Sequence, residues 1–406
     1  MRLGWTVAAG LGLGLLVWAA ASCDDDGGSS STGSPTQTAT GSGAGGVGGH
    51  GAGTTTTGAA GGGASPVTTW SVELEEDRSV SGIAVGSDGL FVVGSFGAGG
   101  STQGYVEKRD LDTGERIASF GDAGVVAVGE SARAAALDDG AVLFTVKPVE
   151  SSGDPYVYKL SAADGSDLWP AGAEILGESA SSIVVGGGTV YDVIVEPVND
   201  YIIEKRALDD GHILDSYDVG VEVPAWIGAD ASGVYEVGWR LASVTQPVTS
   251  HVEWLKRDHS GTVVFDGERA VNETAMSGAL DDGHFFIVGR DESISSRWLA
   301  LGKGIGSGST TFQLASQDAP NGTARVVAAD GVSVYIGGSA SNEERLEKRG
   351  QADEALDAAF GAGGVLTLSR LTSDLEVHGG ALYLVSRDAT TSRYHLEKRS
   401  AVTGAL

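Results

Sequence analysis

The feature that most constrains this chain is a charged stretch that keeps returning, first met as YVEKRDLDTGERIASFG at residues 105 to 121. Its lysine recurs in one register at Lys108, Lys159, Lys205, Lys256, Lys348 and Lys398, with a degenerate copy around Trp298 to Gly302. A second marker, a glycine turn ahead of an apolar run, falls at Gly89, Gly140, Gly188, Gly233, Gly283, Gly331 and Gly380, at spacings of 51, 48, 45, 50, 48 and 49. Two rulers agree on seven units, and a fixed period of this size marks a repeat architecture.

Between the markers lie short Val-rich runs bounded by Asp-Gly, Gly-Gly and Ser-Gly turns, the pattern of an all-β chain. Each unit holds four runs, in the first unit near Ile83 to Val85, Leu90 to Ser95, Tyr105 to Asp110 and Glu115 to Phe120. Four short antiparallel strands repeated at this length predict a seven-bladed β-propeller. The last unit stops at Leu406 without a fourth strand, whereas residues 68 to 74 precede the first blade and have no blade of their own. That segment is expected to pair beside Tyr394 to Arg399 and close the ring, removing an open edge. If each first strand runs down from a top face, the chain enters the ring at the bottom. The loops between second and third strands then lie on top.

Composition divides the chain into residues 1–22, 23–65 and 66–406. The first part combines Arg2, an apolar run from Val7 to Ala21, and small residues Ala20, Ala21 and Ser22, which reads as a secretory signal. With the chain's single cysteine, Cys23, directly after it, this start resembles a bacterial lipoprotein signal. The resemblance implies cleavage before Cys23, acylation there, and a place in the bacterial cell envelope, on a membrane the sequence does not name. Residues 24 to 65 hold 29 Gly, Ser or Thr in 42 positions, too little apolar surface to offset the entropy of ordering. As a Gly-rich coil they make a tether of roughly 35 Å root-mean-square span.

Residues 66–406 carry 51 acidic residues against 25 basic ones. Such a field disfavours nucleic acid or an anionic membrane surface as a direct partner, leaving the lipid anchor as the membrane contact. One cysteine excludes an intrachain disulfide and a cysteine-based zinc site.

The repeats resemble the delta-sixty and quinoprotein-like propeller families. The delta-sixty pattern is clearest in FGDAGVV at 120–126 and LDAAFGAGGV at 356–365, while YKLSAADGSDLW at 158–169 is similar to the quinoprotein type. These motifs specify blade construction and no activity. Enzymes of the quinoprotein family carry a calcium site, stacked Trp and often paired cysteines. Paired cysteines are impossible here, and no cofactor or metal is expected.

The EKR triplets at 107–109, 204–206, 347–349 and 397–399 read as pairs between neighbouring strands, each exposed pair contributing about 0.2–1 kcal/mol. Seven residues beyond each turn glycine stand Phe96, Lys147, Val195, Arg240, Arg290, Gly338 and Arg387, four of them basic. They suggest an incomplete basic ring on the top face with Trp226, Trp239, Arg297, Trp298 and Arg393 nearby, suited to an anionic ligand or acidic peptide. The competing reading pairs these cations with loop acids such as Glu150, Asp291 or Asp388. The histidines show no paired metal spacing, and no catalytic set can be assigned. The expected function is therefore a membrane-tethered, non-catalytic scaffold for protein or peptide partners. The alternatives are a quinoprotein-like or hydrolytic enzyme with a site in the central channel, and a carbohydrate binder using Trp226, Trp239 or Trp298 as platforms.

Overall fold

A computed structural model describes residues 55–56, 67–97, 102–147, 155–169, 173–175, 179–195, 201–243, 249–270, 272–281, 283–292, 296–314 and 320–406. The expected signal, Cys23 and nearly all of the tether lie outside them. Among the described residues there are seven antiparallel sheets; six have their strands in chain order from first to fourth, and the seventh takes its outer strands from the start of the chain. The first strands are Arg78–Gly86, Ser131–Asp138, Ser179–Gly186, Val223–Asp230, Glu273–Leu280, Gly322–Ala329 and Leu371–His378, and these define blades 1 to 7. Each first strand contacts the first strand of the next blade, and the seventh contacts the first. The seven therefore form the wall of a central channel, and the molecule is a closed seven-bladed propeller.

Closure follows the expected route. Thr68–Glu73 runs antiparallel to Tyr394–Ser400, with Trp70 opposite Lys398, and supplies blade 7 with its fourth strand. Trp70 is fully buried, 6.3 Å edge-to-face from Tyr383, and its indole N–H donates to the Leu111 carbonyl of blade 1 at 3.0 Å. Gly114 lies directly beneath it, at a φ of 73°, where a Cβ would come within 2.6 Å of the indole. Thr55–Thr56 adds a short fifth strand outside Thr68–Thr69.

The fourth strand of blade 1 differs from expectation. It is Val125–Val128, whereas residues 115 to 120 form turns and one isolated bridge, Arg109 with Arg116. Phe120 is the reason: fully buried, it packs 5.8 Å from Phe91 in the core between blades 1 and 2, and the chain must turn around it before pairing resumes. Blade 6 repeats the device with Phe360 against Tyr335 and a fourth strand at Val365–Leu368.

The recurring triplet is buried, not exposed as its charge suggests. Glu107 accepts from Arg109, Arg78 and Arg116, and Arg109 in turn donates to the Gly114 carbonyl, lashing down the turn after its strand. Arg206, Arg257, Arg349 and Arg399 hold the corresponding turns at Gly211, Gly261, Glu354 and Gly404. The lysine between them points to the other side of the strand, as period-two alternation requires, and reaches the next blade. Lys108 donates to the Ala162 carbonyl at 2.6 Å, Lys159 to Leu208 at 2.9 Å, Lys205 to His259 at 2.5 Å, Lys256 to Ile305 at 2.8 Å and Lys398 to Leu111 at 2.8 Å. Five of the seven junctions are thus stapled at one register. At the junction of blades 6 and 7 the Tyr335 hydroxyl donates to the Ala401 carbonyl, and at that of blades 5 and 6 the Gln351 amide donates to Asp281.

Blade 5 explains the degenerate copy. Gly302, opposite Phe286, occupies the lysine register, and Lys303, opposite Phe285, faces the other way. It sits 3.7 Å over the Trp254 ring of blade 4, where burial, Arg269 and Glu273 together leave its amine at about 8.

Candidate functional site

Two surfaces are candidates: the top face and the channel. At the bottom, the turns joining first and second strands are nearly uniform. Gly86 pairs with Gly89, Asp138 with Ala141, Gly186 with Thr189, Asp230 with Gly233 and His378 with Ala381, each around two turn residues. At the top, the connection between second and third strands ranges from two residues in blade 6 to eight in blade 2. The bottom connections between third and fourth strands also vary, from five residues in blades 3, 4 and 5 to fifteen in blade 1, so blades differ at both ends and only the first turns are nearly uniform.

This register changes the basic ring. In blades 1 and 4 the marker glycines, Gly89 and Gly233, open the second strand, while Gly140 and Gly380 precede it. Equivalent positions are therefore Ser95, Lys147, Val195, Trp239, Arg290, Ser339 and Arg387, and Arg240 lies one residue beyond, on the opposite side of its strand. The cations are also matched by acids. Lys147 lies 3.8 Å from Glu130, Arg240 pairs with Glu253 at 3.0 Å and with Glu268, and Arg290 pairs with Glu292. Arg387 stacks over Tyr394 with its guanidinium 5.8 Å from the ring centre, and Arg393 pairs with Glu73 and Glu76. The partners of Lys147 and Arg240 are neighbours across strands, that of Arg290 stands two residues along its own chain, and the expected Glu150 lies outside the described residues. The face is a mosaic of both signs. Trp298 presents no platform: it is buried, with its N–H donating to the Ser339 carbonyl at 2.7 Å. Trp226 and Trp239 are half-buried.

In the channel, every first strand carries a β-bulge near its middle, which twists the inner edge. Two residues before the bottom turn, the register holds Ala84, Ala136, Val184, Gly228, Ala279 and Ala328 in blades 1 to 6, and Glu376 in blade 7. Burial and the neighbouring Asp374 carboxylate push the Glu376 carboxyl up to about 8. Asp374, two residues earlier on the same side, is also raised by burial. Its oxygens accept the Ile83 N–H of blade 1 at 2.9 Å and the Leu375 N–H at 2.8 Å. Trp226 lies on the first strand of blade 4. A Cβ on Gly228 or on Gly278 of blade 5 would come within 2.1 and 2.6 Å of its indole, so the ring packs closely against two glycines. The sequence reading missed Glu376 and Asp374. The signal was available, since a charged pair at an otherwise small, apolar register stands out once the strands are aligned.

One further group gathers on the bottom turn of blade 3, where Asp209, Asp210 and His212 bring potential metal-ligand atoms within 4.8 Å of one another. All three are exposed, and His212 hydrogen-bonds Asp210 at 2.5 Å.

No family model matches the chain, and no curated protein does. Among solved structures it is similar to the β-propeller domain of the Trilobed protease from Pyrococcus furiosus, which has an open velcro topology. That likeness has TM-score 0.56 and 9% identity over 80% of this chain and 98% of that one. It is similar to U3-55K at TM-score 0.54 and 10% identity, over 80% and 98%. The WD40 domain of Toxoplasma gondii coronin matches at TM-score 0.51 and 8% identity, over 81% and 85%. These likenesses carry the fold. Unlike the open topology of the first, the ring here is closed by Thr68–Glu73.

Proposed function

We propose that this protein is an exported, lipid-anchored scaffold that docks a protein or peptide partner on the top face of its propeller. The observation that carries the reading is the gathering of Lys147, Arg290 and Arg387 at one register where the second strands reach the top face, beside connections of two to eight residues. The side chains that repeat from blade to blade are instead spent on stapling blades and lashing bottom turns. Surfaces that vary on a rigid frame are where recognition is placed. The chain enters the ring at Thr68, beside Asp112 on the bottom. A lipid on Cys23 would leave the top face pointing away from the membrane. Lys147, Arg240, Arg290 and Arg387, with Trp239 between them, are the docking residues in this reading, exchanging their acidic partners for those of the ligand.

The test is crosslinking and affinity capture from native membranes with the unaltered chain and with an Arg290→Ala, Arg387→Ala variant. A specific partner lost from the variant is expected. Equal recovery of every captured protein by the two forms would refute top-face docking.

A further inference from the structure

Glu376 is a half-buried acid at the channel wall, where the six other blades place Ala, Val or Gly at its register. Among the described residues it has no hydrogen-bond or ion-pair partner. A cation placed beside it would favour its charged form, so the position suits a ligand that brings positive charge.

The geometry points to an alkylammonium group as that ligand: we propose that the lower half of the channel binds one, with Glu376 as the counter-ion and the Trp226 indole as a facing wall. Height supports this. The indole lies against Gly228, the residue of blade 4 at the same register as Glu376. Their seams, between blades 4 and 5 and between blades 7 and 1, are three steps apart in a ring of seven, nearly opposite across the channel. A carboxylate on one side and an aromatic face on the other is the arrangement that recognises organic ammonium ions. A metal ion fits poorly. Each oxygen of Asp374 accepts one backbone N–H, and the two carboxyls together offer at most four oxygen donors, whereas calcium needs about six to eight.

The ammonium group could belong to a free amine or to a lysine side chain inserted into the channel. This site is independent of docking on the top face, and failure of either leaves the other standing. The full chain in detergent is titrated calorimetrically with n-butylammonium and with N-acetyl-lysine methylamide, with calcium as a third probe at matched ionic strength. Saturable binding of an ammonium probe is expected, weakened about tenfold or more in Glu376→Gln and about threefold in Trp226→Phe. Denaturation curves for both variants establish that they are folded. Preference for butylammonium identifies a free amine, and preference for the lysine derivative a protein side chain. No saturation by either ammonium probe, unchanged affinity in Glu376→Gln, or calcium binding that Glu376→Gln abolishes would overturn the proposal.

Discussion

Lys398 donates a 2.8 Å hydrogen bond to the carbonyl of Leu111, a residue 287 positions earlier in the chain. The bond crosses the seam where the ring closes, and it is the same contact that Lys108, Lys159, Lys205 and Lys256 make at four other junctions. A buried charge-assisted hydrogen bond contributes roughly 1.5–3 kcal/mol. Lys398→Met should therefore lower the stability measured by guanidinium denaturation by about that amount. Lys348→Met should have a smaller effect, because Lys348 pairs with Asp357 of its own blade and Tyr335 bridges the junction instead.

Trp70 is the hydrophobic counterpart of that staple. Trp70→Ala removes a fully buried indole and its hydrogen bond to Leu111, and should cost about 3–5 kcal/mol. Hydrogen exchange should show the damage first in Tyr394–Ser400, which loses its outer partner.

Two buried carboxyls should contribute more to stability as the pH falls from about 7 toward 4. In blade 3, Asp192 and Glu204 share one arginine, Arg206, all three buried, where blades 1, 6 and 7 have a single glutamate. Burial holds Asp192 at about 7, with Arg206 pulling it down and Glu204 pushing it up. Its folded value lies above the ordinary one, so the folded state binds more protons between about pH 4 and 7, and stability falls as pH rises through that window. Glu273, raised to about 7 chiefly by burial, acts in the same sense. Asp192→Asn should be more stable than the unaltered chain at pH 8 and lose that advantage by pH 4, as read from denaturation midpoints at each pH.

Arg240 should matter little to stability. Its pairs with Glu253 and Glu268 involve an arginine side chain 41% exposed, and such pairs contribute about 0.2–1 kcal/mol. Arg240→Ala should leave the denaturation midpoint nearly unchanged, so any effect on partner capture would report on binding.

The lipid anchor has a separate test. Cys23→Ser should release the protein from membranes on fractionation and abolish labelling with a radioactive fatty acid.

The seven units, the all-β class and closure by residues 68 to 74 were legible because a repeat multiplies each weak local signal. A lysine or a glycine turn means little once and a great deal in register. Residues 115 to 120 misled because strand propensity does not show that Phe120 will be drawn into the neighbouring blade, turning the chain first. The triplet is structural, but its glutamate and arginine pair along one strand rather than between neighbouring strands. Three charges in a row read as solvent-facing, and only the stacking of blades shows that Glu107 and Arg109 are buried against each other.

What the sequence determined by itself was therefore periodic: the number of blades, their turns and the strand that completes the last. What the tertiary structure alone decided was the side on which single residues fall. Side chains alternate with period two, so a one-residue shift turns Lys303 away from its staple and separates Arg240 from Lys147, Arg290 and Arg387. The same alignment sets Glu376 alone among small apolar residues at the wall of the channel, a position that exists only once the first strand of blade 7 meets the first strand of blade 1.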